Sequence, residues 1–435
     1  MPGAEDGPLR GVRVLELTQI IAGPYCGMNL ADLGADVVKL EPREGEAMRV
    51  LGGFMPGESK AFHSLNRGKR SLVIDLHDER GRAVVHRMLP AFDVFVINSR
   101  PGVSARIGVD YDTLRALRPD LIYMENTGYG TRGPSAERSG SDIIAQAYSG
   151  LMAGDGKVDE YGAPLLITST APADYSAGLA AAMGICAALY HRERTGEGQY
   201  VATSLLGAAM ALQGAVSARL PVFDAMVRDP MLEHVNAVRA RGGSYVEILQ
   251  QRGDIFRILG SAFRLYYGGY QVRDGAIILG ALTPHNRNQM RGVLGIGDDP
   301  TDGPDFNAFD QTNVPVVAAI AERIRAVMLT RTMDEWVAAF DAAGAPASKV
   351  NLPEEMSEDP QVRALGCMLD LEHDLTGPEQ MVGPPLEMTA TPVGARTASP
   401  PLDRDTDAVL AEHGFAAAEV ATLRAAGVIG ARGAQ

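Results

Sequence analysis

Residues 174–199 combine a carboxylate with a long run of small side chains. Asp174 precedes a segment rich in alanine and glycine, which carries His191 near its end and stops at Gly196 and Gly198. This composition predicts a tightly packed helix that begins near the aspartate and ends at the glycines. Asp174 then has two interpretations. It caps the helix by accepting bonds from free backbone N–H groups, or the helix dipole keeps it ionised as a nucleophile.

Two further segments carry polar groups or glycines at spacings used in active sites. Ser139-Gly-Ser141-Asp142 contains a carboxylate that we interpret either as a partner in a polar site or as another helix cap. Gly128-Tyr-Gly130-Thr-Arg-Gly133 matches the dinucleotide fingerprint, but a proline and a polar stretch follow it instead of a helix. We therefore expect no NAD site there. A loop over an active site and a plain surface turn remain open.

Short apolar runs alternate with helical patterns over the first part of the chain. Strands are predicted at Val12–Leu17, Val37–Leu40, Leu72–Ile74, Val94–Ile97 and Leu121–Met124, with helices at Glu79–Leu89 and Thr113–Leu117. This alternation predicts an α/β fold with a Rossmann-like, mostly parallel sheet covered by helices. In such sheets, ligands bind beyond the carboxyl ends of the strands.

The remainder of the chain has a different character. Residues 220–270 are polar and rich in arginine, without a clear period. Beyond them we predict a turn entering a strand at Val272–Gly280, and helices at Val316–Met328 (with Pro315 in its first turn), Thr332–Ala343, Asp405–Glu412 and Ala417–Ala425. We assign residues 1–224 to the N-terminal part of a large domain, 225–345 to a smaller α/β domain, and 346–435 to a linker and a C-terminal segment.

Composition limits the classes of partner. The 435 residues contain 40 Lys and Arg against 54 Asp and Glu, a net charge of -14, which argues against a broad nucleic-acid surface. Cys26, Cys186 and Cys367 are far apart and lack metal-site spacing, as expected for reduced thiols in a cytoplasmic protein. The N-terminus lacks the features of a signal peptide, and the apolar stretch Ala177–Tyr190 is shorter than the roughly 20 residues that span a bilayer. We therefore expect a cytoplasmic protein without a membrane partner.

Several motifs, in a fixed order, resemble those of the family III CoA-transferases, a superfamily that includes formyl-CoA and carnitine CoA-transferases and 2-methylacyl-CoA racemases. The matching segments are Gly11–Pro42, Asn66–Leu72, Asp93–Gly102, Gly128–Pro134, Arg194–Gln199, Glu358–Gln361 and Asp405–Leu410. The resemblance is weakest between residues 215 and 270. It implies that Asp174 carries the acyl group, which favours the nucleophile interpretation. It also implies that residues 346–435 return to the large domain and that two chains interlock as a homodimer.

The resemblance also implies a set of residues that bind coenzyme A. By position, the family's cofactor contacts fall on Gln19, Ile20, Ile74, Asn98 and Arg106. The phosphates of the cofactor favour guanidinium groups, and Arg43, Arg70 and Arg100 also lie near predicted strand ends or in the loops after them. A family position that can hold an arginine falls on Pro42, so we expect Arg43 to take that role. Arg49 or Arg67 is a candidate for holding a second carboxylate of a dicarboxylic acid.

The reaction implied by the resemblance is transfer of coenzyme A between an acyl-CoA and a small carboxylic acid. Asp174 would attack the thioester, while Asp142, Ser141 and the loop glycines Gly128 and Gly130 would complete the catalytic site. Backbone amides at the helix start and in the 128–133 loop would stabilise oxyanions. No metal is expected.

Two alternatives stay open. One is an intramolecular CoA shift or a 2-methylacyl-CoA racemase. Related racemases carry a histidine where Ser141 stands, and serine at its normal pKa cannot abstract an α-proton. The other is a non-catalytic protein that binds coenzyme A, against which the presence of Asp174 argues.

Overall fold

The computed structural model describes residues 7–297, 299–303, 306–307, 310–395 and 397–432, apart from the side chains of residues 254–261 and 311. The chain divides into two compact units. The first comprises Met1–Lys157, Pro164–Ala218 and Ser357–Gln435, and the second comprises Val158–Ala163 and Arg219–Met356.

The described residues form the following elements. The strands are β1 (Arg13–Leu17), β2 (Asp36–Glu41), β3 (Gly53–Met55), β4 (Glu58–Ser59), β5 (Lys69–Val73), β6 (Val94–Ile97), β7 (Ile122–Thr127), β8 (Tyr200–Ser204), β9 (Tyr267–Val272), β10 (Gly275–Gly280), β11 (Ala347–Lys349), β12 (Met368–His373) and β13 (Gly377–Val382). The α-helices are α1 (Ala22–Asp32), α2 (Lys60–Asn66), α3 (Glu79–Met88), α4 (Val103–Arg106), α5 (Tyr111–Leu117), α6 (Asp142–Ser149), α7 (Leu151–Asp155), α8 (Pro172–Thr195), α9 (Leu205–Ala211), α10 (Gly214–Ser217), α11 (Pro221–Asp224), α12 (Arg228–Ala240), α13 (Tyr245–Arg264), α14 (Pro284–Leu294), α15 (Val314–Met328), α16 (Met333–Ala342), α17 (Pro360–Ala364), α18 (Thr406–Glu412) and α19 (Ala417–Ala425).

A six-stranded parallel sheet is the centre of the first unit. Its order is β5-β2-β1-β6-β7-β8, and each neighbouring pair runs parallel. Helices α1 and α8 contribute to the apolar core on one face, and α3, α5, α18 and α19 contribute to the core on the other. The four residues of β6 are all buried, as expected for a strand covered on both sides. The predicted mixed α/β fold with a mostly parallel sheet is confirmed.

Helix α8 packs closely because its side chains are small. A methyl group at Gly178 would lie 2.7 Å from the carbonyl oxygen of Ala22 in α1, so only glycine permits this approach. The helix ends at Gly196, whose φ of 76° is the left-handed conformation that glycine adopts without strain. The predicted end of the helix is therefore confirmed. Packing of α8 against α1 brings the N-terminal ends of both helices to the same region of the first unit.

The second unit contains the antiparallel sheet β11-β10-β9. Its core includes Trp336 and Phe340 from α16, together with Ile324 and Met328 from α15. The region 220–270, whose sequence has no clear hydrophobic period, is mostly helical and contains α12 and α13. Across the residues that the structure describes, no helix is both long enough and apolar enough to cross a bilayer.

Candidate active site

Asp174 is the third residue of α8 and is 8% exposed. The N-cap position is Ala171, and no side chain of that residue bonds the helix. The interpretation of Asp174 as the cap of its own helix is therefore wrong. Its carboxylate instead accepts a hydrogen bond from the backbone N–H of Ala22, the first residue of α1.

Asp142 is the residue that caps α8. Its Oδ1 accepts hydrogen bonds from the backbone N–H groups of Ala173 (2.8 Å) and Asp174 (3.2 Å), and Gln146 Nε2 donates to its Oδ2 at 2.5 Å. Asp142 is itself the first residue of α6, where Ser141 occupies the N-cap position without a side-chain hydrogen bond. The cap interpretation of Asp142 is thus right in kind, but the capped helix is α8. These two α8 amides are bonded to Asp142, which contradicts the expectation that amides at the helix start are free to bind an oxyanion.

The carboxylate of Asp142 affects the ionisation of Asp174. The pKa of Asp174 is raised to about 7, mainly by burial and secondly by the negative charge of Asp142. The hydrogen bond from the Ala22 N–H opposes this rise. Both the ionised and the neutral form of Asp174 are therefore populated near neutral pH. A carboxylate with this pKa is a stronger nucleophile than an exposed aspartate once it is ionised.

A cleft of about 370 Å³ opens above Asp174. Its lining includes the predicted residues Gln19, Ile20, Asn98, Arg100, Gly128, Ser141 and Asp174. A second cleft of about 320 Å³ shares Gln19, Asn98 and Ser99 with the first. Its lining includes the predicted residues Ile74 and Arg106, and also Pro42. Both clefts lie at the carboxyl ends of the parallel strands, where the fold predicts a ligand.

The two loop glycines are placed differently. Gly128 lines the Asp174 cleft and contacts the other wall, because a methyl group there would lie 2.6 Å from the Cα of Gly140. Gly130 is not among the residues that line either cleft. It has a φ of 93°, and its N–H donates to Thr127 Oγ1 at 2.9 Å. Gly130 therefore shapes the loop, and its N–H is already bonded.

Two of the arginines considered for the cofactor lie elsewhere. Arg43 donates from Nε to the carbonyl oxygen of Gly430 at 3.0 Å and lines neither cleft. Arg70 is near the amino end of β5, opposite the clefts, where it pairs with Asp36 and Glu412 at 2.7 and 2.8 Å. The prediction that Arg70 lies at the ligand-binding edge is wrong, because Arg70 is the second residue of β5 and the clefts lie at the other end of the strand.

The two arginines considered for a second substrate carboxylate are buried and already paired. Arg49 bonds Glu41 through Nε and Nη2 at 2.7 and 2.8 Å, and Arg67 bonds Asp32 at 2.5 and 3.1 Å. A buried guanidinium requires such a partner, since an unpaired buried charge is strongly destabilising. The suggestion that Arg49 or Arg67 holds a substrate is therefore wrong.

Residues 9–406 match the sequence model of CoA-transferase family III. The chain belongs to CoA-transferase family III. It is 33% identical to a succinate–glutarate CoA-transferase of Agrobacterium fabrum, over 93% of this chain and 95% of that protein. It is 29% identical to the human succinyl-CoA:glutarate CoA-transferase, over 93% of this chain and 86% of that protein. A solved CaiB/BaiF family protein from Brucella suis has a TM-score of 0.71 at 29% identity, covering 94% of this chain and all of that one.

Two polar side chains of this CoA-transferase line the Asp174 cleft and were not predicted from the sequence. Asn126 is 4% exposed and Ser99 is partly buried, and both Asn126 Nδ2 and Ser99 Oγ lack a hydrogen-bond partner among the described residues. Buried polar groups are rarely left unbonded, so these two atoms at the cleft are available to bond a ligand or water. Their positions in the sequence could have indicated this role, because both residues lie at or just after the carboxyl ends of neighbouring strands.

Elsewhere in the first unit, Glu58, His63 and His373 could be considered as metal ligands, since their donor atoms lie within 4.8 Å of one another. The hydrogen bonds point to a different arrangement. His63 contacts Glu58 at 2.8 Å and Glu379 at 2.7 Å; burial opposes its protonation, but these carboxylates outweigh burial and raise its pKa to about 9. His373 Nδ1 accepts two backbone N–H bonds, which leaves the proton on Nε2, the atom that would face an ion. These contacts hold a protonated His63 between the carboxylates of Glu58 and Glu379.

Proposed function

We propose that this protein transfers coenzyme A from an acyl-CoA thioester to a small carboxylic acid through covalent intermediates on Asp174. The observation that carries the proposal is the position of this buried carboxylate, at a cleft that shares the lining residues Gln19, Asn98 and Ser99 with the cleft of Arg106. An acyl group bound beside Asp174 would be joined to a cofactor whose phosphates reach Arg106. Both the family and the names of the relatives support CoA transfer.

The reaction proceeds by acyl exchange on the carboxylate. An ionised Asp174 oxygen attacks the thioester carbonyl carbon, the C–S bond breaks, and CoA leaves as the thiolate, giving a mixed anhydride. The thiolate then attacks the Asp174 carbonyl carbon and releases the donor acid, which forms an aspartyl-CoA thioester. The acceptor carboxylate repeats these steps in reverse and regenerates Asp174. Dividing the exchange into covalent steps is the advantage of a carboxylate nucleophile.

Within this proposal, the two clefts bind different parts of the acyl-CoA. Arg106 binds a phosphate of CoA, and Ile74 contributes an apolar surface for the adenosine part. Gln19 and Asn98 line both clefts, so they contact the chain that joins the adenosine part to the sulfur. Asn126 donates a hydrogen bond to the acyl oxygen, a role that the bonded amides of α8 are unable to fill.

The acids are proposed to be dicarboxylic. The names of two relatives specify succinate and glutarate, each of which keeps a free carboxylate after CoA is attached. Arg49 and Arg67 are occupied, whereas Arg100 is exposed and lines the same cleft as Asp174. We therefore assign Arg100 to the distal carboxylate of the acid, and Arg106 to the CoA phosphate. A guanidinium suits a carboxylate because two parallel N–H groups match its two oxygens.

A homodimer and a reducing, cytoplasmic setting are also part of the proposal. In the single chain, α6 and α8 expose large apolar side chains, namely Ile143, Ile144, Tyr148, Leu179 and Met183. A second copy of the chain would remove this surface from water. The cysteines Cys26, Cys186 and Cys367 are free thiols, as a reducing compartment requires. Light scattering of the purified protein tests the dimer, and a monomer at micromolar concentration would contradict it.

One experiment tests the reaction directly. The purified protein is incubated with a panel of CoA thioesters and carboxylic acids, and new thioesters are identified by mass spectrometry. Hydroxylamine added during turnover should trap the intermediate as a mass change on the peptide that contains Asp174. If no acid accepts CoA and no peptide is modified, the proposal fails. Deuterium uptake at the α-carbon of a 2-methylacyl-CoA in heavy water, at a rate comparable to exchange, would favour a racemase instead.

A further inference from the structure

Ile20 has an unusual backbone conformation at the entrance to the Asp174 cleft. Its φ is 69°, a left-handed value that is strained for a β-branched residue. Among the described residues, Asp403 is the other non-glycine residue with a positive φ, and a short polar side chain tolerates this conformation better. Strain of this kind persists only when neighbouring groups enforce it, so contacts around Ile20 must stabilise this conformation.

The backbone on both sides of Gln19 is held by side chains from other parts of the first unit. Asn98 accepts the N–H of Gln19 at 2.9 Å and donates to its carbonyl oxygen at 2.8 Å. Lys39 donates from Nζ to the carbonyl oxygen of Thr18 at 3.0 Å. The N–H of the strained Ile20 donates to Glu46 Oε2 at 3.0 Å.

Glu46 is well placed to enforce the conformation of Ile20. It is 3% exposed, and its Oε1 lies 3.3 Å from Lys39 Nζ, which neutralises its charge. Lys39 also bonds Glu16 at 3.1 Å. Within this ion pair, Glu46 accepts a hydrogen bond from the Ile20 N–H, and Lys39 donates one to the Thr18 carbonyl oxygen. The pair is buried, so solvent screens it little.

The segment held in this way leads directly to the reacting group. Gln19 and Ile20 line the Asp174 cleft, and α1 begins two residues later at Ala22, whose N–H donates to the Asp174 carboxylate. Relaxation of Ile20 to a negative φ would turn the chain at the start of α1. It would displace both the side chain of Gln19 and the N–H that contacts the nucleophile.

We propose that Glu46 is a positioning residue for acyl transfer: paired with Lys39, it holds Ile20 in the left-handed conformation and so fixes Gln19 and the Ala22 N–H relative to Asp174. The proposal rests on the proposed function, since the reaction gives this geometry its purpose. Glu46 acts through the backbone of Ile20 rather than on the substrate.

The first test is independent of activity. Amide hydrogen exchange is measured on peptides that contain residues 18–22 in the parent, in Glu46→Ala and in the control Glu44→Gln. Glu44 is an exposed neighbour that pairs with Arg432. Exchange at Ile20 and Ala22 should become at least about tenfold faster in Glu46→Ala, because the backbone loses the bond that offsets its strain. It should not change in the control. Unchanged exchange in Glu46→Ala would overturn the proposal.

The second test separates positioning from a general structural role. Glu46→Ala should lower kcat by about 10- to 100-fold with little change in CoA affinity, while Glu46→Gln should retain most of the rate because its amide oxygen still accepts the Ile20 N–H. In the Ile20→Gly background, the loss caused by Glu46→Ala should be several-fold smaller, since glycine adopts a positive φ without strain. Equal losses in both backgrounds would overturn the proposal.

Two further outcomes are distinguishable. If Glu46→Ala does not fold, Glu46→Gln replaces it in both backgrounds, and its smaller loss should again shrink with Ile20→Gly. If the parent exchanges no CoA with any acid, the proposed function fails, whereas the hydrogen-exchange result still decides whether Glu46 holds Ile20.

Discussion

Asp174 is subject to two opposing requirements. In the proposed reaction it must be ionised to attack a thioester, yet burial and the charge of Asp142 favour its neutral form. The same Asp142 carboxylate also accepts hydrogen bonds from the first amides of α8. The negative charge that caps α8 therefore also raises the pKa of Asp174, the proposed nucleophile.

The pH dependence of the exchange reaction should report this coupling. The rate should rise with pH through about 7, as Asp174 loses its proton. Asp142→Asn keeps an oxygen that accepts the α8 amides but removes the charge, so the midpoint should move to lower pH by about one unit. Asp155→Asn, at the end of the neighbouring helix α7, is the matched control. Profiles of kcat/KM with coincident midpoints in Asp142→Asn and the parent would contradict the assignment.

The same raised pKa predicts a cost in stability. An aspartate that titrates near 7 in the folded chain and near 3.8 in the unfolded chain holds its proton longer when folded. Its contribution therefore becomes increasingly unfavourable from about pH 4 to pH 7 and is constant above, reaching a few kcal/mol by linkage. Asp174→Asn should remove this cost. Its gain in melting temperature should be larger at pH 8 than at pH 5, and an equal gain at both values would show that ionisation is not the cause.

Asn126 offers a separate test of the cleft. Its amide nitrogen is buried and has no hydrogen-bond partner among the residues that the structure describes, so an acyl oxygen bound there would gain a hydrogen bond. Asn126→Ala should lower kcat by about tenfold or more, the effect of losing a donor to developing negative charge. The affinity for CoA serves as the internal control and should stay within about twofold. A rate equal to that of the parent would remove Asn126 from the proposed site.

The residues at the cleft differ in how far the sequence could predict them. Asp174 and Ser141 could be predicted from the sequence because each belongs to a motif. The contact between Asp142 and the α8 amides joins residues more than 30 positions apart and depends on how α6 packs against α8. Arg49 and Arg67 looked free because their buried partners, Glu41 and Asp32, are recognisable only after the chain folds.

At the scale of elements, prediction succeeded where periodicity was simple. Strand β6 and helix α19 have the predicted boundaries, and α15 begins with Pro315 in its first turn. The hairpin of β12 and β13 was missed because its flanking prolines and mixed polar residues read as loop. Short strands on a partly exposed surface carry little periodic signal, since neither face is uniformly apolar.

The walls of the Asp174 cleft are elements whose spacing depends on a pair of glycines. Gly128→Ala would place a methyl group 2.6 Å from the Cα of Gly140, so the loop after β7 and the loop before α6 must separate. We expect a loss of exchange activity of at least about tenfold, because sub-ångström displacements near reacting groups have effects of this size. Gly214→Ala, with no atom within 4 Å of the added methyl, is the control and should be nearly neutral. Equal activity in the two variants would show that the cleft tolerates the displacement.

At the scale of the molecule, an acidic protein has to bind a polyanionic cofactor. The net charge of -14 repels CoA at long range, so affinity must come from local cations at the clefts. Arg49, Arg67 and Arg70 form ion pairs with carboxylates of the protein. Arg43 donates a hydrogen bond to a backbone carbonyl oxygen. Arg106 lines the second cleft and is the guanidinium that we assign to a phosphate of CoA.

Arg106→Ala should therefore weaken binding of CoA far more than binding of pantetheine, which has no phosphates. The loss for CoA should be about tenfold to a hundredfold, the value of a charge-assisted hydrogen bond. Arg115→Ala, on the exposed side of α5, is the matched control and should bind both ligands as the parent does. Added salt should reduce the affinity of the parent for CoA more than that of Arg106→Ala, because the deleted contact is the one that ions screen. Calorimetry with both ligands at two salt concentrations measures all of these effects. Equal losses for CoA and pantetheine would mean that Arg106 supports the fold, and the assignment of the second cleft to the phosphates of CoA would then fail.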